Sequence, residues 1–283
     1  MDQCLERIVS DYSTSEILHV CRTINKDYNI YDPEKVRWDK ISYALYKTPL
    51  EEIEGLKQIT FSNKVVNDLI FHFYFCERVI KYHFIKYLKT RHDNIVAFEM
   101  TVGESRVDIC RINGSSYAYE IKTEYDTFDR LETQMRDYLK TFEKVYVIVP
   151  KSRSDDVKRF VPDSCGIIAY KVTEDCNISF SYARKAIKNK CDLTTCLGSL
   201  SSSDLSYLLK LIKLKDCSTK SKKLESIMLY TANHSIWPCY RQLLRHKYEE
   251  QWKFITQHFD EILPLDIQHF FSSNLNPQIL YGK

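Results

Sequence analysis

The stretch Phe98–Pro150, FEMTVGESRVDICRINGSSYAYEIKTEYDTFDRLETQMRDYLKTFEKVYVIVP, decides how this 283-residue chain is read. Two β-like runs, Ser105–Ile112 and Tyr117–Thr123, flank Asn113-Gly114, a dipeptide that takes left-handed backbone readily and so signals a hairpin. A helical stretch over about Phe128–Phe142 and the apolar run Val145–Val149 follow. Side chains alternate along a strand, so Val107 and Ile109 share one face and Asp108 and Cys110 the other. On the second run Tyr119 and Ile121 lie opposite in sense to Glu120 and Lys122. A loop of odd length, Asn113-Gly114-Ser115 for instance, sets Asp108 across from Glu120 and gathers Asp108, Glu120 and Lys122 on one side. An even loop without a bulge sends the two carboxylates to opposite faces.

Two carboxylates and a lysine on one patch have a chemical use. Carboxylates are hard oxygen ligands suited to Mg²⁺ or Mn²⁺. Such an ion polarises a phosphodiester and acidifies a water, and an ammonium beside it orients the nucleophile or stabilises charge on the phosphate. An isolated E-x-K is ordinarily a pair of exposed strand charges. Here it follows Asp108 at hairpin spacing and precedes a helix carrying Gln134 and Tyr138.

This pattern resembles the PD-(D/E)xK nuclease superfamily, with Asp108 as the first acid and Glu120-x-Lys122 as the second motif. Gln134-x-x-x-Tyr138 looks like the additional motif of its exonuclease and helicase-nuclease branches. The run from Glu120 is similar to a bacterial and phage family with an EIKS-x-x-D-x-x-x-RL-x-x-Q-x-x-x-Y pattern, matched by Asp126, Arg130, Leu131, Gln134 and Tyr138. Thr123 stands in place of serine and keeps the hydroxyl, and Val107 stands in place of the usual proline. The resemblance covers roughly Cys76–Lys171. It implies a restriction-endonuclease-like α/β fold, a mixed sheet flanked by helices. It also implies Mg²⁺ or Mn²⁺ held by Asp108 and Glu120, with the Ile121 carbonyl as a third ligand. By the same resemblance Lys122 positions the water, and Gln134 and Tyr138 steer the scissile strand. Arg130, Gln134 and Tyr138 are spaced i, i+4, i+8 and line up on one helix stripe, either as a clamp on phosphate and strand, with Arg130 meeting the nucleic acid, or as a polar helix surface with Tyr138 half buried. A glutamate on the helix before the first strand sits near the metal in that family, a place that Glu77 fits; pairing with Lys81 one turn on is the competing reading. Glu99 and Glu104 are rival acids, and Glu77 ranks above Glu104.

Length allows one large domain or two small ones. A 44% hydrophobic and 28% charged composition is that of a soluble globular protein, and only six glycines favour a compact, helix-rich body. A net charge of +3 does not by itself point to nucleic acid. The ten cysteines form neither C-x-x-C nor a zinc-finger quartet, the N-terminus is polar, and charges break the longest apolar stretch near Val65–Ile80. The expectation is a cytoplasmic protein with free thiols and no membrane span.

Residues 1–64 read as a helical N-terminal extension, with starts at Ser13-Thr14-Ser15-Glu16, after Asp32-Pro33 and at Thr48-Pro49. Residues 65–196 read as the nuclease core, opening on one long amphipathic helix from Asn63 to about Leu88 and a strand at Ile95–Thr101. Arg78, Lys81, Lys86, Lys89 and Arg91 gather on that helix, as a solvated face or as phosphate contacts. A short helix over Ser152–Phe160, a strand at Gly166–Val172, and Arg184, Lys185, Lys188 and Lys190 on a helix or loop complete it.

Residues 197–283 read as a helical C-terminal region. Ser203 is placed to cap a helix over Asp204–Leu214, followed by a second from Ser221 to about Ala232. This pair resembles the SAP helix–loop–helix DNA-binding module without its loop glycines, with Lys213, Lys215, Lys220, Lys222 and Lys223 for phosphates. The competing reading is a plain helical hairpin with a solvated basic loop. The function expected is a metal-dependent deoxyribonuclease in phage defence, a mobile element or DNA repair. The alternative is a nuclease-fold DNA- or partner-binding module whose catalysis is lost.

Overall fold

The computed structural model describes residues 3–273 and 275–281. Contacts divide the chain into two compact units, Met1–Lys86 with Thr173–Asn177 and Phe254–Lys283, and Tyr87–Val172 with Ile178–Lys253. These boundaries differ from the division expected at residues 64 and 196.

The first unit begins with helices α1 (Gln3–Ser10), α2 (Thr14–Asp27), α3 (Glu34–Ala44), α4 (Leu50–Ile59) and α5 (Ser62–Phe73). The Ser13 start is a reciprocal cap: Ser13 Oγ accepts from the Glu16 N–H, and Glu16 Oε2 accepts from the Ser13 N–H at 2.9 Å. The single helix expected over Asn63–Leu88 is two. After α5, Tyr74 is extended and its N–H closes on the Ile70 carbonyl; α6 then runs over Glu77–Lys89, and the unit boundary falls inside it. Phe71, Phe73, Tyr74 and Phe75 are aromatic residues that lose side-chain freedom in a helix, and Glu77 supplies the charge that a helix start favours. The amphipathic period ran on across the break, so it could not mark it.

The second unit is built on a six-stranded mixed sheet flanked by helices. Its strands are β1 (Ile95–Val102), β2 (Ser105–Asn113), β3 (Ser115–Ile121), β4 (Lys144–Pro150), β5 (Gly166–Val172) and β6 (Ile178–Arg184), in that spatial order. β1–β2, β2–β3 and β5–β6 pair antiparallel; β3–β4 and β4–β5 pair parallel. Gly103 (φ +60) makes the two-residue turn between paired Val102 and Ser105, and Gly114 (φ +63) stands between paired Asn113 and Ser115. Helix α7 (Leu131–Thr141) carries the chain from β3 to β4 and packs on β1, β2 and β4. β4 is covered on both faces, hence its unbroken apolar run.

β6 was not expected, and it places Arg184 on a strand rather than a helix or loop. Its signal was the alternation Ile178, Phe180, Tyr182 with intervening serines, a weak pattern on an exposed edge strand. The Ser152–Phe160 segment forms two 3₁₀ turns, Lys151–Arg153 and Asp156–Arg159, in place of a short α-helix. Helices α8 (Leu193–Gly198), α9 (Ser202–Leu211), α10 (Lys220–Thr231) and α11 (Trp237–Gln257) follow. Ser201, not Ser203, caps α9. From Ser201 the third helical residue is Asp204, whose Oδ2 accepts the Ser201 N–H at 3.0 Å while Ser201 Oγ accepts the Asp204 N–H at 3.1 Å.

The tail completes the first unit with α12 (Ile267–Ser273) and α13 (Pro277–Tyr281). The Tyr28 and Tyr281 hydroxyls donate to fully buried Asp266 at 2.8 and 2.9 Å, and the Leu265 N–H donates to Asn67 Oδ1 at 2.8 Å. The Tyr28–Asp266 and Asn67–Leu265 bonds, between residues 238 and 198 positions apart in sequence, are why the expected boundaries do not match the units. Among the described residues no helix is long and apolar enough to cross a membrane.

Candidate functional site

The β2–β3 register is the odd one. Ile109 pairs with Tyr119 and Cys110 with Ala118, so Asp108 and Glu120 stand on the same face at the end of the ladder. Asp108 Oδ2 accepts the Ile121 N–H at 2.7 Å, which ties the first acid to the backbone of the second motif. Both acids are buried.

A buried carboxylate is costly unless its oxygens are satisfied. Glu120 Oε1 takes Lys122 Nζ at 2.8 Å and Gln134 Nε2 at 2.6 Å, and Oε2 takes the Tyr138 hydroxyl at 2.7 Å. Burial pushes the Glu120 carboxyl above its ordinary range, against the pull of Lys122, Tyr138 and Gln134. Burial alone would lower the Lys122 ammonium, but Glu120 outweighs it, with Asp108 and Asp126 adding to the effect, and Lys122 is held charged. Burial and the Glu120 carboxylate together keep the Tyr138 phenol protonated.

Helix α7 delivers Gln134 and Tyr138 to that carboxylate. Tyr138 is fully buried rather than a surface clamp, and its hydroxyl also lies 2.7 Å from the Arg106 carbonyl oxygen. Gln134 Oε1 is buried without a hydrogen-bond partner among the described residues. Arg130 does not continue the stripe: it precedes the first helical residue, its carbonyl accepts the Gln134 N–H at 3.1 Å, and its side chain is exposed.

The loop after Lys122 is fixed by residues the motif named without assigning a contact. Asp126 Oδ2 accepts from the Thr123 N–H and hydroxyl at 2.7 and 2.6 Å, so the hydroxyl shared by serine and threonine is the group in use. The Arg153 guanidinium, which the sequence reading passed over, donates to the carbonyls of Thr123 and Asp126 at 2.6 and 2.7 Å and lies 4.1 Å over the Phe128 ring.

Glu99 is the acid that sequence reasoning left as a rival. On β1 it faces Asp108, since Phe98 pairs with Ile109 and Met100 with Val107 on either side. Its carboxylate and that of Asp108 come within 4.8 Å of each other. Glu99 takes left-handed backbone (φ 52) inside a strand, a conformation glutamate seldom adopts, and its Oε2 meets Arg106 Nε at 2.6 Å. The available signal was the two-residue turn at Gly103-Glu104, which fixes the β1–β2 register and puts residue 99 opposite residue 108. Glu104 itself is exposed in that turn. Glu77 belongs to the first unit, where it opens α6 and meets Lys81 at 3.0 Å, the pairing weighed for it from spacing.

The basic residues do not behave alike. Lys81 is buried and also donates to Gln268 Oε1 at 3.0 Å, so the Arg78–Arg91 run is not one solvated face. Lys220 and Lys222 are exposed on α10. Lys223, expected at a phosphate, is turned inward: its Nζ donates to the Ser202 carbonyl, Ser202 Oγ and Ser206 Oγ at 3.2, 3.0 and 2.5 Å and lies 3.5 Å from Asp216. It ties α10 to α9. Lys213 takes left-handed backbone (φ 60) where a loop glycine would sit.

The family described as Bacteriophage P4 protein cII matches residues 72–270 of this chain. Protein cII of Enterobacteria phage P4 is 27% identical over 139 residues, 47% of this chain and 52% of that protein, so the chain spans about half the length of this curated relative. Among solved structures, the SPO1766 protein of unknown function from Silicibacter pomeroyi aligns over 56% of this chain and 92% of its own, with 15% identity and a TM-score of 0.31.

Proposed function

We propose that this chain, which belongs to the bacteriophage P4 protein cII family, is a metal-dependent nuclease that hydrolyses DNA phosphodiesters on a restriction-endonuclease-like core. The observation that carries the reading is the convergence of Asp108, Glu120 and Lys122 at one end of the β2–β3 pair, with Gln134 and Tyr138 reaching the same carboxylate. Ten free cysteines agree with a reducing cytoplasm, and a phage family agrees with a phage or mobile-element setting.

The donor set fits a hard divalent cation. Two oxygens on one Mg²⁺ at about 2.1 Å lie at most about 4.2 Å apart. Asp108 and Glu99, within 4.8 Å, could therefore close on an ion by a shift of about 0.6 Å or less. Asp108, Glu99 and Glu120 would hold the cation, which supplies charge neutralisation at the phosphate and an acidified water when bound. Lys122 stays protonated beside Glu120 and orients the attacking water or offers charge to the phosphate. Gln134 and Tyr138 hold the Glu120 carboxylate in one orientation. Arg106 and Arg130, both exposed, are cations available to the strand backbone.

One observation favours the second reading, a silent DNA-binding module: both Glu120 oxygens are already engaged by protein donors. Cleavage of linear, circular and single-stranded DNA in Mn²⁺ by the wild type and Asp108→Asn separates the two. Cleavage by the wild type that Asp108→Asn abolishes supports the nuclease. Salt-sensitive DNA binding by both proteins with no cleavage by either supports the silent module.

A further inference from the structure

We propose that a second site in the sheet-bearing unit, a cavity of about 470 Å³ at the opposite end of β3 and β4 from Glu120 and Lys122, binds a nucleotide through its phosphates and its base. Glu143 precedes β4 and bonds the Ser116 N–H near the start of β3 at 2.9 Å. Ser116 lies four residues from Glu120, about 13 Å along the strand. The two sites are therefore distinct.

The lining sets the ligand class. Lys188, Lys190 and Arg241 bring three positive charges against the single carboxylate of Glu143. Glu143 is spent on the protein: Oε1 meets Lys188 Nζ at 3.0 Å and Arg241 at 3.2 Å, and Oε2 takes the Ser116 N–H. Burial opposes its charge, but Lys188, Ser116 and Arg241 outweigh burial and keep its pKa low, so it anchors two cations at the rim without taking a ligand proton. Lys190 is exposed and has no ion-pair partner among the described residues. The cavity also abuts the first turn of the 21-residue α11, whose positive dipole end favours an anion. Half-buried Trp237 supplies an aromatic surface for a base. The volume lies within the range of small-molecule sites, about 300–1,000 Å³. The same chemistry is offered by a free nucleotide and by the phosphorylated terminal nucleotide of a strand.

Cys191 gives a built-in reporter. It lines the cavity, and the neighbouring Cys196 side chain holds its thiol below the ordinary range against the effect of burial. The full chain is titrated with ADP, adenosine, inorganic phosphate and a 5′-phosphorylated oligonucleotide. Two readouts run together: fluorescence of the wild type against Trp237→Phe, and alkylation of Cys191 mapped against Cys217. ADP is expected to saturate both signals, adenosine and phosphate to require at least about tenfold more, and Lys190→Glu to weaken ADP by about tenfold. Lys190→Glu leaves the fold intact, checked by thermal unfolding, because its side chain has no internal ion pair. Saturation by the oligonucleotide alone would assign the site to a strand end. No saturable change with ADP or the oligonucleotide at millimolar concentration, or phosphate acting as well as ADP, would overturn the proposal.

Discussion

Replacing Lys122 by methionine isolates the energetics of the central ion pair. Methionine keeps much of the stem but removes the ammonium, leaving Glu120, 3% exposed, with only Gln134 and Tyr138 as side-chain donors. Breaking a buried pair from one side costs about 3–5 kcal/mol, because the remaining charge stays buried. Glu120→Gln is the milder change, about 1–2 kcal/mol, since a hydrogen bond to a charged group is lost while Lys122 keeps the nearby charges of Asp108 and Asp126. The double variant Glu120→Gln/Lys122→Met buries two neutral groups of similar volume. It should unfold with a loss at least about 1.5 kcal/mol smaller than the sum of the single losses. The sign with pH follows from Glu120: a carboxyl whose folded pKa is raised contributes stability below its unfolded pKa and loses it as pH rises through the folded value. Lys122→Met raises it further, so its deficit relative to wild type should grow from acid to neutral pH. Urea unfolding of the four proteins across that range measures both effects. Additivity within about 0.5 kcal/mol, or a deficit that shrinks with rising pH, would refute the cage around Glu120.

Tyr138→Phe removes one hydroxyl facing the buried Glu120 carboxylate and the Arg106 carbonyl and should cost about 1–3 kcal/mol in unfolding while leaving the sheet's circular dichroism unchanged; a loss below about 0.5 kcal/mol would place that hydroxyl outside the network. Asp266, raised from 3.8 to about 6 by burial, should weaken the first unit as pH climbs through 6, by up to about 3 kcal/mol. Asp266→Asn should flatten that dependence, and a wild-type melting temperature that does not fall relative to the variant between pH 4.5 and 7.5 would contradict it. Lys223→Met should lower stability with little change in DNA affinity or its salt slope, whereas Lys222→Glu should do the reverse; a flatter salt slope for Lys223→Met alone would show that its ammonium reaches phosphate.

The parts legible in the sequence were those set by local rules. Strand alternation and an odd loop were enough to put Asp108 beside Glu120, and i, i+4 spacing was enough to align Gln134 with Tyr138. The rest depended on partners distant in sequence or on backbone states that composition does not advertise. The Gly103-Glu104 turn puts Glu99 opposite Asp108, but no glycine or asparagine marks the left-handed backbone that Glu99 takes there. The tail reads from its sequence only as helical, because the contacts of Leu265 and Asp266 lie with Tyr28 and Asn67, far upstream. Lys223 looked like its neighbours until the α9 serines claimed its ammonium. At Tyr74 the amphipathic period continued through a break that only hydrogen bonding reveals.

The claim most exposed to test is that Asp108 and its neighbouring carboxylates form one divalent-cation site. Mn²⁺ binding, followed by the loss of free-ion electron paramagnetic resonance signal, addresses it without reference to any substrate. The wild type should bind Mn²⁺ saturably, with Mg²⁺ competing; Asp108→Asn should abolish that binding, and Glu99→Gln should weaken it by at least about tenfold. Mn²⁺ binding of equal strength in wild type and Asp108→Asn, or none in the wild type, would contradict the account.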